Sequence, residues 1–161
     1  MIYFILAVGE NNELGLNNNL PWHIKEELAF FKKMTLNQNI LFGRKTYESI
    51  PKHLEDRKIF VLTKQKNNYD FNNKNVVIIN NIDKIISDYY KNVDNDIYIC
   101  GGLNIYKLFY DFVDVIYLSK IKGKFEADTF MFEIDENIFT KDIFEKHDSF
   151  DVFIYKRKVK K

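Results

Sequence analysis

The chain has 161 residues, a length that suits one domain with a genuine apolar core. Lysine and arginine total 24 against 23 aspartates and glutamates, and a net charge of +1 gives no electrostatic footprint for nucleic acid or an anionic membrane. Cys100 is the only cysteine, which excludes an internal disulfide and makes a reducing cytoplasm the expected compartment.

Ile2–Val8 is apolar at every position, as expected for a central strand covered on both faces. It lacks the basic leader and small-residue cleavage site of a signal peptide. No apolar run approaches the ~20 residues of a membrane span. Gly9–Asn19 is polar and reads as a long loop. Lys25–Met34 has a helical pattern. Ile40–Phe42 is a short strand, and Gly43 turns into a short helix that ends near Pro51. Ile59–Thr63 and Val76–Ile79 are β-rich. Ile82–Lys91 is an amphipathic helix with Ile82, Ile85, Ile86 and Tyr89 on one side. Ile97–Cys100, Gly101-Gly102 and Leu103–Tyr110 form a strand, a glycine turn and a helix. Val115–Ile121 and Phe150–Val159 are strands, and Ile138–Phe144 supplies another. The Asn-rich stretches 17–19 and 67–75 read as loops, and Lys156–Lys161 as a solvated end. No repeat or linker interrupts the chain, so residues 1–161 are expected to form a single domain.

Strands alternating with helices predict an α/β sheet that is mostly parallel, with an antiparallel C-terminal edge. Ligands of such sheets gather at the carboxyl ends of strands, where Gly9, Gly43, Thr63 and Gly101 all fall.

One residue breaks the pattern of the first helix. On a wheel of about 100° per residue from Ile24, the residues Leu28, Phe31 and Met34 define a buried stripe. Glu27 falls inside that stripe, whereas Lys25, Glu26, Lys32 and Lys33 face away. A buried carboxylate costs several kcal/mol unless it is paired or protonated. A buried ion pair, a charge favoured by the helix start and a ligand-gripping carboxylate stand level on the residues alone. The preceding Leu20-Pro21-Trp22 favours the last, because Trp22 can line a pocket mouth and its indole N–H requires a polar partner or water.

Other segments suit a phosphorylated cofactor. Gly101-Gly102 after a strand lets backbone N–H groups approach a pyrophosphate, although for such a pair alone a simple tight turn is the more common explanation. Gly43-Arg44-Lys45-Thr46 adds two cations and a hydroxyl in the same arrangement, and Thr63-Lys64 adds a cation. His23, His53 and His147 lack metal-ligand spacing, and no metal is assigned. Cys100 has no base to activate it and reads as a small buried hydrophobe.

Six segments in register carry a resemblance. They are Leu14-Gly15 through Leu20-Pro21-Trp22, then Glu27-Leu28-Ala29-Phe30-Phe31-Lys32, then Phe42-Gly43-Arg44-Lys45-Thr46-Tyr47-Glu48-Ser49-Ile50. Leu54 with Arg57-Lys58, Cys100-Gly101-Gly102-Leu103-Asn104-Ile105-Tyr106, and Ala127-Asp128-Thr129-Phe130 complete the set. In order and spacing this series resembles the dihydrofolate reductase family from residue 2 to 132. The resemblance implies an eight-stranded, mainly parallel sheet with about four helices. It also implies reduction of dihydrofolate by NADPH for one-carbon metabolism, with hydride to C6 and a proton to N5.

Carried over residue by residue, the resemblance makes Glu27 the carboxylate that grips the pterin, with Trp22 near the proton route. Ile5, Ala7, Leu20, Leu28, Phe31, Ile50 and Leu54 would line the substrate pocket. Arg57 would hold the α-carboxylate of the glutamate tail through its planar fork, and Ser119 would hold a water on the pterin side. The cofactor side would comprise Ala7, Leu14, Gly15, Gly43, Arg44, Lys45, Thr46, Leu62, Thr63, Lys64, Cys100, Gly101, Gly102, Leu103, Asn104, Ile105 and Tyr106. Arg44 and Lys64 occupy the places of the basic groups around a 2′-phosphate, which favours NADPH over NADH. Asp128 reads as a structural carboxylate that bonds the active-site loop. A cytoplasmic monomer is the expected form. The rival readings are a reductase of the same fold acting on a riboflavin-pathway pyrimidine, and a cofactor-binding module without catalysis.

Overall fold

A computed structural model describes residues 1–17, 19–50, 54, 56–64 and 75–159. His53 and most of the Asn-rich stretch 67–75 lie outside the described residues, as do the last two lysines. The elements run β1 (Ile2–Val8), β2 (Glu13–Gly15), α1 (Lys25–Thr35), β3 (Asn39–Gly43) and α2 (Arg44–Ser49). Next come β4 (Lys58–Leu62), β5 (Val76–Ile79), α3 (Asp83–Tyr89), β6 (Ile97–Ile99) and α4 (Leu103–Phe109). β7 (Val115–Ile121), β8 (Thr129–Phe130), β9 (Phe139–Lys146) and β10 (Phe150–Arg157) complete the chain.

Eight strands form one sheet in the order β5-β4-β3-β6-β1-β7-β10-β9. The pairs from β5 to β7 are parallel, and β10 runs antiparallel to both β7 and β9. This is the expected α/β sheet with an antiparallel C-terminal edge. The loop expected over 9–19 differs: residues 13–15 pair with β8 as a small antiparallel ribbon, because the polar run meets a partner more than 100 residues away.

β1 alternates its side chains between two cores, as a strand buried on both faces must. Ile2, Phe4, Leu6 and Val8 pack with Ile85 and Tyr89 of α3 and with Tyr106 and Phe109 of α4. Ile5 and Ala7 face the other way, toward Trp22, Phe30 of α1 and Phe42 of β3. Burying side chains of this size stabilises the fold by about 1.5–3 kcal/mol each. The edge strand β9 carries mostly exposed residues, whereas β10 beside it alternates buried and open positions. No helix among the described residues is long and apolar enough to cross a membrane.

Candidate active site

The parallel register lines up the carboxyl ends of β1, β3, β4 and β6. Gly43 stands opposite Leu62, and Ile99 lies opposite both Leu41 and Phe4. Gly43, Leu62 and Cys100 therefore come together at one end of the sheet, whereas Arg57 precedes β4 at the other end of that strand.

On the α1 side, Phe30 is buried, and Ile24, Phe31 and Met34 pack partly buried beside it. On the wheel that inward arc spans about −120° to 0°, with Glu27 near its middle at about −60°. The sequence places Leu28 on the buried stripe. Instead Leu28 is 42% exposed, because the helix turns Phe30 inward and brings position 28 out to the rim. Glu27 is consequently more central to the apolar face than the pattern suggests. It is half-buried, and no described residue offers it a hydrogen bond or an ion pair. Burial raises its carboxyl from 4.5 to about 7, since the charged form lacks solvation there.

Trp22 is 5% exposed, and its Nε1–H has no acceptor among the described residues. Leaving such a donor unsatisfied costs about 1–3 kcal/mol. Its indole shares a cluster with Ile5, Ala7, Phe31, Ile50 and Leu54, which brings five of the seven expected pocket residues together. Leu20, 50% exposed, stands outside that cluster with Leu28. Ser119 is buried and lies in register with Ala7, so its hydroxyl belongs to the strand beside the end of β1.

Arg57 is buried immediately before β4 rather than spread on the surface. Its Nε donates to Thr35 Oγ1 at 3.0 Å and its Nη2 to the carbonyl of Lys32 at 2.7 Å. Thr35 Oγ1 donates in turn to the carbonyl of Phe31 at 2.7 Å. Nothing in the residue pattern marks Thr35, because a threonine bonding back along the last helical turn is ordinary. Here it also orients the guanidinium.

On the other side of β1, the starts of α2 and α4 meet. The N–H of Gly43 donates to the carbonyl of Gly101 at 2.8 Å, and the Gly101–Gly102 peptide is cis. Gly101 has φ +119°, a region open to glycine, and a Cβ on Gly102 would lie 3.1 Å from Thr46 Oγ1. Neither helix start carries a side-chain cap, and the first-turn N–H groups of a helix have no carbonyl to bond within it, as for Leu103 and Asn104. This bare, close-packed pair of helix starts suits a pyrophosphate. Thr63 and Lys64 follow β4 one strand away, and Arg44 forms an ion pair with Glu48 at 3.3 Å. Donors and cations of this kind fit a phosphorylated dinucleotide.

Tyr106 is anchored: its hydroxyl donates to the carbonyl of Ile5 at 3.0 Å, and Ile105 packs over Gly43. Cys100 is kept protonated by burial and donates weakly to the carbonyl of Tyr98, so it has no nucleophilic character. Asp128 behaves as expected of a loop tie. It accepts the N–H of Asn17 at 2.9 Å, which helps hold its carboxyl below the usual range, while its own N–H donates to the carbonyl of Gly15 at 3.0 Å. Leu14 and Gly15 lie in the ribbon that this tie secures.

A family model described as dihydrofolate reductase matches residues 1–157. The chain belongs to the dihydrofolate reductase family. A dihydrofolate reductase of Mycoplasma genitalium is 41% identical over 160 residues, covering 98% of this chain and 99% of its own. The dihydrofolate reductase of Buchnera aphidicola is 38% identical over 146 residues, covering 90% and 85%. A solved dihydrofolate reductase from Enterococcus faecalis, complexed with NADP(H), superposes with a TM-score of 0.83 at 28% identity. That match covers 99% of this chain and 97% of the other. Dihydrofolate reductases reduce dihydrofolate to tetrahydrofolate with NADPH, and this chain is an enzyme of that kind.

Proposed function

We propose that Glu27 grips the pterin of dihydrofolate and governs delivery of the proton to N5. The observation that carries this is a carboxylate without a partner among the described residues, at the centre of an apolar helix face that packs against a mainly apolar sheet face. Two carboxylate oxygens match the two donors of the pterin, its 2-amino group and N3. A carboxyl that titrates near 7 keeps a proton available at neutral pH, which favours proton transfer in the site. Trp22 Nε1–H, lacking an acceptor among the described residues, is suited to hold the water that relays the proton. Ile5, Ala7, Phe31, Ile50 and Leu54 exclude bulk water around the ring, with Leu20 and Leu28 at the rim and Ser119 behind the end of β1. Arg57, oriented by Thr35 and the carbonyl of Lys32, receives the carboxylate of the glutamate tail.

When bound, NADPH supplies the hydride that reduces C6. Gly43, Arg44, Lys45 and Thr46, with Gly101, Gly102, Leu103, Asn104 and Ile105, would hold its pyrophosphate. Arg44, Thr63 and Lys64 would favour the 2′-phosphate, with Leu62 beside them. Ala7, Leu14, Gly15, Cys100 and Tyr106 would flank the remainder. We further propose a single-domain monomer that works in the cytoplasm, the compartment with which a lone cysteine is in keeping.

The test follows absorbance at 340 nm with NADPH and dihydrofolate across pH. The wild-type rate should fall as pH rises through about 7. Glu27→Gln should lose about 10²–10⁴-fold in kcat and flatten that profile. An active Glu27→Gln enzyme with the wild-type profile would remove Glu27 from the mechanism.

A further inference from the structure

A second carboxylate is withdrawn from water, on the other side of Trp22. Glu13 lies in β2 and is 1% exposed. Its side chain folds back over Gly9, where a Cβ would stand 2.6 Å from Oε2, so the strand end leaves room for the carboxylate only as glycine. Oε1 accepts the N–H of Asn11, and Oε2 accepts the N–H of Phe125 at 2.7 Å. The same two segments meet again nearby: Glu10 Oε1 accepts the N–H of Gly123 at 3.0 Å, and the N–H of Glu10 donates to the carbonyl of Gly123. The Phe125 ring then packs edge-on against Trp22, with centroids 5.3 Å apart. That indole shares its cluster with Phe30, Phe31 and Met34, the residues that surround Glu27 on α1.

The geometry points to Glu13 as a positioning residue for the reduction: by fixing the Phe125 backbone it seats the Phe125 ring against Trp22, and so sets where the indole N–H stands in the site. This rests on the reading of Trp22 as part of the proton route. A carboxylate suits the task because its two oxygens take two backbone donors at once. Glutamine has one acceptor oxygen and leaves one of these N–H groups without a partner. The chain of contacts is local and short. A shift of Phe125 therefore reaches Trp22 directly, and small displacements of aligned groups lower catalytic rates disproportionately.

Trp22 is the only tryptophan, so fluorescence excited selectively in the indole, away from the ten tyrosines, reports the surroundings of this one ring. Emission, thermal midpoint, kcat and KM for dihydrofolate are to be measured for wild type, Glu13→Gln, Phe125→Leu, the double variant and Trp22→Phe. Phe125→Leu keeps the backbone N–H for Glu13 but removes the ring. The expected result is red-shifted emission in both single variants. Each should lose about three- to tenfold in kcat, with KM within roughly twofold of wild type. The double variant should be no slower than the worse single, because both changes act through one contact. Wild-type emission and kcat in folded Glu13→Gln, with only the melting temperature lowered, would overturn the proposal. Losses that multiply in the double variant would do the same. Should Glu13→Gln fail to fold, Phe125→Leu decides, and unchanged emission and kcat there overturn the link. A Trp22→Phe enzyme with full kcat would sink the reading of Trp22 itself. An impaired Trp22→Phe beside unaffected Glu13 and Phe125 variants would sink only the positioning role.

Discussion

Glu13 and Glu27 are two carboxylates that the same fold shelters in opposite ways. Glu13 is covered almost completely yet lies shallow, and two backbone N–H groups reach its oxygens. Burial pushes its carboxyl up, but the hydrogen bonds to Phe125 and Asn11, with Lys124 nearby, outweigh that and hold it below the usual range. Glu27 is reached by water more easily but sits deep among hydrocarbon with no partner among the described residues, and burial alone takes it to about 7. Exposure therefore does not decide which carboxylate is charged. The supply of donors does. A carboxylate satisfied by its own chain can tie two loops together, whereas one left unsatisfied is available to a substrate.

The comparison extends to Arg57, whose fork is partly tied to Thr35 and Lys32 in the manner of Glu13, although the proposed role asks it to meet a substrate carboxylate as well. Arg57→Lys should raise KM for dihydrofolate about tenfold or more while kcat changes little, since a lysine cannot reproduce a bidentate contact. A loss of thermal stability with unchanged KM would place Arg57 wholly with the structural groups.

The two carboxylates should also pull stability in opposite directions with pH. Glu27 has a raised pKa, so its contribution is complete below 4.5 and is lost as pH rises through about 7. Glu13 has a lowered pKa, so its contribution is present above 4.5 and is lost as pH falls through its depressed value. Melting curves across pH should show Glu27→Gln gaining about 1–2 kcal/mol over wild type above pH 7, after allowance for water in the cleft. Glu13→Gln should be most destabilised at neutral pH, with the deficit shrinking in acid. Parallel curves for the two variants would erase the distinction.

The smallest effect concerns the cations proposed for the cofactor side, of which Arg44 is partly open and Lys64 exposed to solvent and its screening. Arg44→Ala and Lys64→Ala should each lower the preference for NADPH over NADH several-fold, by roughly 1 kcal/mol. Arg44 is the sharper probe, because its ion pair with Glu48 must compete with any phosphate. An unchanged ratio of kcat/KM for the two cofactors would argue against both assignments.

Much of this was readable from the residues because the responsible forces are local. An uninterrupted apolar run specified β1, the strand–glycine–helix pattern marked 97–109, and a carboxylate inside an apolar stripe singled out Glu27. The phase of α1 was less legible: its apolar residues also fit a stripe through Leu28, and only packing of Phe30 under the sheet selects the arc centred on Glu27. Glu13 was not legible at all. It stands among asparagines in a segment without periodicity, and its burial comes from Phe125, 112 residues further along. Thr35 was missed for a similar reason, since its second role depends on Arg57 arriving from another strand. What escaped the sequence in each case was a long-range contact made by a polar side chain.

β10, the last strand in the chain, lies between β7 and β9 rather than at the border of the sheet. Val152 stands opposite Ser119, beside the strand pair that carries Ala7. During synthesis, therefore, the flank of β7 stays open until the residues up to 157 have left the ribosome. At about 5–20 residues per second, Trp22 and Glu27 emerge several seconds before the strand that closes the sheet beside β7. The sheet is thus completed from within, by the last strand made, and not at its border.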